Sequence, residues 1–468
     1  MTTTGEQGSD AIILIGSEEG PITWPQQPID HQLTEETGRV AISIREQEIN
    51  GGRCFPSDLK EELQSLPPWP TKCCIYKVPV NLRIINESAY TPKLVSIGPL
   101  HHGATKLQPM EAHKRRYLNL FLDQNSNISL EDLVQVVRGL EERARNCYEE
   151  EFTRHLNRDQ FVEIMLLDSC FILTFFHLWS HSSARHKHDP IFTGRQLRGN
   201  VYMDILLLEN QLPFFILQKL YELTISSTDP KAFLEIIFPY FKDDMDKNQS
   251  RHLASLKNPQ VKHFVDLILK CNLPSQTNQN PTNNDTNVIE LPSATDLHNF
   301  GIKFRKGVSN NFLDIKFTNA VLEIPFYSVW DSTEQRFRNL IAMEQCHGSS
   351  DCHITDYTAL MDSLINTPDD VALLRSCGII YNYLGSDEDV CRLFNNITKG
   401  VYSSPQKSNY IGIIKDVNAH CNRRWNLRMA HLKRDYFNSP WTIISLIAAL
   451  VLLICTIVQA VCSVISVL

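Results

Sequence analysis

The sequence predicts a mainly α protein: a large helical domain with a small antiparallel β-sheet and a C-terminal single transmembrane helix. Three observations carry this reading. Apolar residues recur at helical spacing through most of the chain, as at Phe337, Leu340 and Ile341, which share one face with Glu344. A short stretch around Leu313, Ile315 and Phe317 alternates apolar and polar residues with a period of two. The last stretch, Trp441–Leu468, carries no Asp, Glu, Lys, Arg or His, and a run of about 20 apolar residues is enough to span a bilayer as a helix.

Residues 1–71 are polar and punctuated by Gly51-Gly52 and Pro67-Pro68-Trp69-Pro70, so they are expected to be largely disordered apart from a short amphipathic helix over Asp58–Leu66. The helical domain is placed at residues 72–437. Its first part, Cys73–Gly103, mixes Pro and Gly with Ile, Val, Leu and Tyr, as an ordered, mostly extended segment packed on a core would. Met110, His113, Tyr117, Leu120 and Phe121 mark a helix over about Gln108–Asp123, with the basic run His113-Lys114-Arg115-Arg116 read as its solvated face. Phe161–Trp179 is apolar on all sides, as a buried helix should be. Its Glu163, Asp168 and His177 argue against a second span, because charge in mid-bilayer is costly.

Val201–Tyr221 is similarly apolar, but Pro213 has no N–H and crowds the turn before it. A kink or break is expected at Glu209-Asn210-Gln211, with another donor needed for the Glu209 carbonyl. Residues 272–293 are rich in Asn, Thr and Pro and read as a flexible loop. Ile302–Arg305, Leu313–Phe317 and Val321–Pro325, with a turn at Asn319-Ala320, supply the antiparallel sheet. Helices then resume. Asp331 with Glu334 has the form of a capping box, Tyr357, Leu360, Met361 and Leu364 mark the next helix, Pro368-Asp369-Asp370 opens another that Gly378 closes, and Ser386 with Asp389 opens one more. The helical pattern of Tyr410–Phe437 ends at Ser439-Pro440, and the span is placed at residues 441–463.

A chain of 468 residues, 43% hydrophobic and 21% charged, has the composition of an ordinary globular protein, and a net charge of -8 speaks against a nucleic-acid binder. Two of the 13 cysteines, Cys455 and Cys462, lie in the apolar tail, and the scatter of the others suits reduced thiols better than a disulfide framework. Arg423, Arg424, Arg428, Lys433 and Arg434 precede the tail, and the N-terminus lacks a basic n-region. Both features favour a membrane protein with its bulk in the cytosol and its C-terminal tail inserted.

Five blocks in fixed order carry a family resemblance: IYKVPVNLRIINESAYTPKLVSIGPLHHG (75–103), LLLENQLPFFIL (206–217), FLDIKFTNAVLEIP (312–325), RNLIAMEQC (338–346) and YFNSPW (436–441). They resemble the plant-specific DUF247 proteins, also grouped as UPF0481. The resemblance implies a single-pass plant membrane protein. Some members are genetically associated with pollen-side self-incompatibility in grasses, which implies recognition or signalling. It supplies no catalytic residues, and family drawings that put the large domain outside the cell oppose the charge argument. Asn319-Ala320 stands where the family commonly has Asn-Gly, so a looser turn is expected here.

The chemistry-bearing candidates lie in three places. Asp168, Glu209 and Glu344 are carboxylates inside apolar helical patterns, either a buried acid site for general acid/base work or hydrogen-bond acceptors that fix the core. Asn210 and Gln211 beside Pro213, and His101-His102 before Gly103, are candidate binding residues. Cys346-His347 with Cys352-His353 is the most metal-like local cluster, but its spacing fits no common zinc module. No G-x-S-x-G, P-loop or G-x-G-x-x-G occurs, so no cofactor is expected. The expected activity is that of a recognition or signalling module with an unidentified protein partner and a membrane contact through Trp441–Leu468. A hydrolase- or transferase-like enzyme using the three acids is the alternative.

Overall fold

The computed structural model describes residues 72–224, 230–242, 260–274, 290–348, 352–423 and 440–465, together with residues 59, 60, 63, 64, 245 and 250. The chain divides into two compact units, Met1–Trp69 and Pro70–Leu468, and the second carries the architecture that follows. The loop expected at 272–293, the region 1–71 expected to be largely disordered and the end of the helix expected over Tyr410–Phe437 lie largely outside the described residues. Leu59, Lys60, Leu63 and Gln64 are helical, within the helix expected over Asp58–Leu66.

The first half of the domain is built around one buried helix. α1 (Pro109–Gln124), α2 (Leu130–Arg145) and α3 (Arg158–Ser180) come first, followed by α4 (Arg195–Ile205), α5 (Phe214–Thr224), α6 (Pro230–Ile237) and α7 (Phe264–Asn272). α3 starts at a capping box in which Asn157 and Gln160 exchange side-chain and backbone hydrogen bonds. α1, α2, α5 and α6 all pack on α3. It is long and apolar enough to cross a membrane, yet 89% of its apolar window is buried inside the domain. Phe175, Phe176, Tyr240, Phe241 and Phe264 interlock around its C-terminal half at centroid distances of 4.9–6.0 Å; aromatic pairs in this range add to what burial contributes. α2, which opens on the capping box Ser129–Asp132, is an element the sequence reading passed over.

The break before Pro213 is as the sequence predicted. α4 stops at Ile205, residues 206–213 are not helical, and α5 begins immediately after the proline.

The second half holds α8 (Ala294–Asn299), strands β1 (Lys303–Gly307), β2 (Lys316–Thr318), β3 (Val321–Pro325) and β4 (Tyr327–Val329), then α9 (Thr333–His347), α10 (His353–Leu364), α11 (Pro368–Ser376), β5 (Ile380–Asn382), α12 (Asp387–Ile397) and α13 (Ile411–Cys421). The helix faces read from the sequence are buried: Phe337, Leu340, Ile341 and Glu344 on α9, and Tyr357, Leu360, Met361 and Leu364 on α10. Asp331 and Glu334 do not form the expected capping box. Thr333 Oγ1 accepts from the Trp330 amide at 2.9 Å instead, and Glu334 is held by Arg338 and Asn86. Ser386 does cap α12, accepting from the Asp389 amide at 3.1 Å.

The sheet is mixed, not antiparallel. β2 and β3 are an antiparallel hairpin, but β1 lies on the other side of β3 and runs parallel to it. The connection through residues 308–315 turns the chain before β2, so the strand after the hairpin again runs with β1. β4 and β5 form a second, parallel pair.

The Asn319-Ala320 turn is tight despite its alanine. Thr318 pairs directly with Val321, and both turn residues take the left-handed conformation at φ 52° and 61°, as a two-residue hairpin turn requires. An L-residue pays about 1–2 kcal/mol there. Ala320→Gly is therefore expected to raise stability by up to about 1 kcal/mol, after subtracting the unfolded-state entropy of glycine, and thermal unfolding of the two chains would measure it.

α14 (Pro440–Ile465) follows, with an apolar stretch at Ile447–Ser463. Its Ile447, Leu450, Leu453, Ile454 and Val458 are half or more exposed.

Candidate functional site: a buried polar centre

The segment Lys93–Gly98 threads the middle of the first half without joining a sheet, so its amides need side-chain partners. Asp204, at the end of α4, accepts from three of them: Lys93 at 2.8 Å, Leu94 at 2.7 Å and Val95 at 2.9 Å. Asn210 accepts from the Ile97 amide at 2.7 Å and donates to the carbonyls of Val95 and Asp204, both at 3.0 Å. Asp168, on α3, accepts from the Gly98 amide at 2.8 Å. Gln211 donates to the carbonyls of Ile205 and Leu207 at 2.6 and 2.7 Å and to that of Asn210 at 3.1 Å, while its Oε1 accepts from the Phe264 amide at 2.9 Å.

The Asn and Gln beside the proline thus satisfy backbone around the helix break, but neither donates to the Glu209 carbonyl for which a donor was sought. Asn210→Leu is expected to cost about 1–3 kcal/mol, because it strips partners from Ile97, Val95 and Asp204 at once. Thermal unfolding that matched the parent chain would place Asn210 at the surface instead.

A buried ionic cluster sits beside this network. Lys114 is fully buried, with its Nζ 2.5 Å from Asp168 Oδ1, 2.7 Å from Glu111 Oε1 and 3.0 Å from Ser96 Oγ. Burial raises the Asp168 carboxyl and Lys114 opposes that shift. This corrects the reading of residues 113–116 as a solvated face: Arg115 and Arg116 are exposed, but Lys114 turns inward. The signal was available, since Met110, Lys114, Tyr117 and Phe121 share one helical face and all four are buried.

Glu209 lies at the edge of the centre. It accepts from the Val78 amide at 2.7 Å and pairs with Arg83, and His101 Nε2 lies 3.4 Å from its Oε2 without a well-directed hydrogen bond. Burial pushes the carboxyl up, but His101, Arg83 and the Val78 amide together hold it below the usual range. His102 is exposed.

Glu344 is elsewhere: from α9 it reaches the start of α10, where it accepts from the amides of Ile354 and Thr355 at 2.9 and 2.8 Å and from the Thr355 hydroxyl at 2.7 Å. Asp168, Glu209 and Glu344 are therefore held by three separate sets of partners and do not make one acid site. Asp204, Lys114 and Asn339, which accepts from the Leu208 amide and donates to the Ala89 carbonyl, are members that sequence reasoning missed.

Burial pushes Glu344 up to about 7 from 4.5, and burial pushes His263, whose Nε2 lies 2.9 Å from the Cys74 carbonyl oxygen, down to about 4 from 6.5. The raised carboxyl contributes stability that is present below pH 4.5 and lost as pH rises through 7; the depressed imidazole contributes stability that is present above pH 6.5 and lost as pH falls through 4. Between pH 4.5 and 6.5 the two slopes oppose each other. Glu344→Gln leaves the His263 slope uncompensated, so the variant is expected to lose about 1 kcal/mol more than the parent per pH unit on acidification across this window. Parallel pH–stability curves for the two chains would contradict this.

The four Cys and His candidates do not converge. Cys346 Sγ approaches the Lys77 carbonyl at 3.9 Å, and His347 meets Tyr76 Oη at 2.9 Å and Lys262 Nζ at 2.5 Å. Cys352 and His353 stand at the start of α10, with His353 buried. Among the described residues, no three His, Cys, Asp or Glu side chains are grouped to hold a metal ion. A surface groove of about 640 Å³ runs between α1, α2 and α3, lined by Leu118, Val134, Val162 and Leu166, and none of the three candidate acids lines it.

DUF247, described as a plant protein family of unknown function, matches residues 75–455, which include the whole polar centre. The chain belongs to the DUF247 family. It is 34% identical to the UPF0481 protein At3g47200 of Arabidopsis thaliana over 422 residues, covering 84% of this chain and 87% of that one. It is 24% identical to the putative UPF0481 protein At3g02645 of the same plant over 473 residues, covering 81% and 88%. No solved structure matches the DUF247 chain.

Proposed function

We propose that this DUF247 chain is a membrane-anchored recognition module and not an enzyme built on its buried acids. The observation that carries this reading is how the acids are used. Asp168, Glu209 and Glu344 each accept backbone amides of the chain itself. A general acid or base must stand within hydrogen-bond reach of its substrate. Ser96 and Lys114, 3.0 Å apart, have the residue types of a nucleophile and its base, but both are buried.

One exposed patch of the domain is aromatic. Phe326, Trp330, Tyr381 and Tyr383, at and beside β4 and β5, are 43–52% exposed, and the Trp330 and Tyr383 rings stack at 3.6 Å. Trp and Tyr are the residues in which protein interfaces concentrate binding energy. Anchorage is supported by α14, whose 26 residues span about 39 Å at helical rise, more than a bilayer core. The basic residues between Arg423 and Arg434 orient the bulk to the cytosol.

Two experiments test the proposal. Deleting residues 441–468 should release the folded chain from membranes, and a truncated chain that still pellets in high salt would refute the anchor. Trp330→Ala with Tyr383→Ala should abolish a stoichiometric protein partner recovered by cross-linking from plant membranes while leaving thermal unfolding unchanged. Recovery of the same partners at the same yield would refute recognition through this face.

A further inference from the structure

We propose that Cys74 and Cys147 form a reversible dithiol–disulfide site that clamps the entry segment of the domain to the turn after α2. The two residues are far apart in sequence and adjacent in space. Ile75 and Tyr148 form an isolated parallel bridge, which puts Cys74 and Cys147 in register beside each other. The amides of Cys74 and Ile75 both donate to the Cys147 carbonyl at 2.9 Å. Neighbouring extended chains lie about 4.7–4.9 Å apart, inside the range of about 4.4–6.8 Å between Cα atoms that a disulfide spans. The two thiols lie close enough to shift each other's acidity, and the Cys147 thiol donates to the Arg143 carbonyl at 3.5 Å. Both residues are buried and both are free thiols.

The surroundings polarise the pair. The neighbouring Cys74 thiol holds Cys147 below its ordinary range, assisted by Arg143, Lys72 and Lys262 and opposed by burial. The same interaction, with burial, pushes Cys74 up. The asymmetry favours Cys147 over Cys74 as the nucleophile of the pair. Cys73, next in the chain, directs its thiol to the Ile75 carbonyl at 3.9 Å instead, and burial and Glu149 push it up to about 11.

The oxidant class is a small disulfide such as glutathione disulfide. The Cys147 thiol loses its proton and attacks one of its sulfurs, forming a mixed disulfide and expelling one glutathione thiolate. The Cys74 thiol loses its proton and attacks the Cys147 sulfur, forming the intramolecular bond and expelling the second glutathione thiolate. Both released thiolates are protonated, so two protein thiols are oxidised as one disulfide is reduced to two thiols. On the cytosolic side of a membrane the pair rests reduced and closes when the poise turns oxidising. Closure fixes the segment whose Cys74 carbonyl meets His263 and whose Val78 amide is held by Glu209, so it acts on the polar centre directly.

The test uses the full-length chain in detergent micelles, reduced, then equilibrated with glutathione buffers of increasing disulfide content, acid-quenched and digested for peptide mass spectrometry. The expected result is a peptide pair linked through Cys74 and Cys147 that disappears on reduction, persists in Cys73→Ser and is absent from Cys147→Ser. The oxidised chain should melt several degrees above the reduced one. The proposal is overturned if both cysteines of the folded wild-type chain stay alkylatable at the highest disulfide concentration, or if Cys74 or Cys147 is found linked to another cysteine instead. Because the wild-type digest alone decides, a serine variant that fails to fold does not affect the outcome.

Discussion

Lys114→Ala is expected to destabilise the protein by about 3–5 kcal/mol, the range for removing one partner of a buried charge cluster. The lysine sits between Asp168 and Glu111 and also donates to Ser96. Without it Asp168 and Glu111 lose their shared cation and keep only the Gly98 amide and the Ser96 hydroxyl as partners. The loss comes mainly from the stranded acids, not from a large net gain in the intact cluster. The triple change Lys114→Met, Asp168→Asn and Glu111→Gln should therefore recover much of the stability, because the side-chain amide introduced on α3 keeps an oxygen for the Gly98 N–H. Chemical unfolding of the three chains measures both effects. If Lys114→Ala unfolds within about 1 kcal/mol of the parent, water reaches the cluster and the centre is not dry.

Gly98→Ala is the second large effect, about 2–5 kcal/mol. The backbone at Gly98 has φ +78°, and an added Cβ would stand 2.5 Å from the Gln211 carbonyl oxygen and 3.1 Å from the Tyr148 hydroxyl. The left-handed conformation costs an L-residue about 1–2 kcal/mol, and forcing a methyl group into a filled core costs about 1–3 kcal/mol more. The clash falls on backbone, so a rotamer change cannot relieve it. Gly103, also left-handed at φ +84°, has open space around its missing Cβ. Gly103→Ala should thus show the conformational cost alone, and the difference between the two melting curves isolates the packing contribution. Equal losses would mean that Gln211 moves freely and that the centre is softer than its hydrogen bonds indicate.

Much of this architecture was legible in the residues. Periodicity located α1, α9 and α10, and Pro213 located the helix break, because these depend on neighbours within one or two turns. The composition of Phe161–Trp179, with its acids and histidine, distinguished a buried helix from a second span. The capping box at Asp331 misled because its residues had stronger partners elsewhere: Glu334 bonds to Asn86, which no local pattern reveals. The direction of β1 misled because a hairpin fixes only the strands it joins, whereas the third strand's place depends on how residues 308–315 pack.

By itself the sequence determined the family, the mainly helical class, the polar break in an apolar helix and the uncharged tail. Only the tertiary structure decided which partners the polar atoms take. It turned Lys114 from a face read as solvated into the core, separated three acids that composition alone could have gathered into one site, and set Cys74 beside Cys147. The physical reason is the same in each case. A buried polar group takes whichever complementary group the packing of the helices brings to it, and those groups, such as Asp204 and the amides of residues 93–95, lie about a hundred residues apart in the chain.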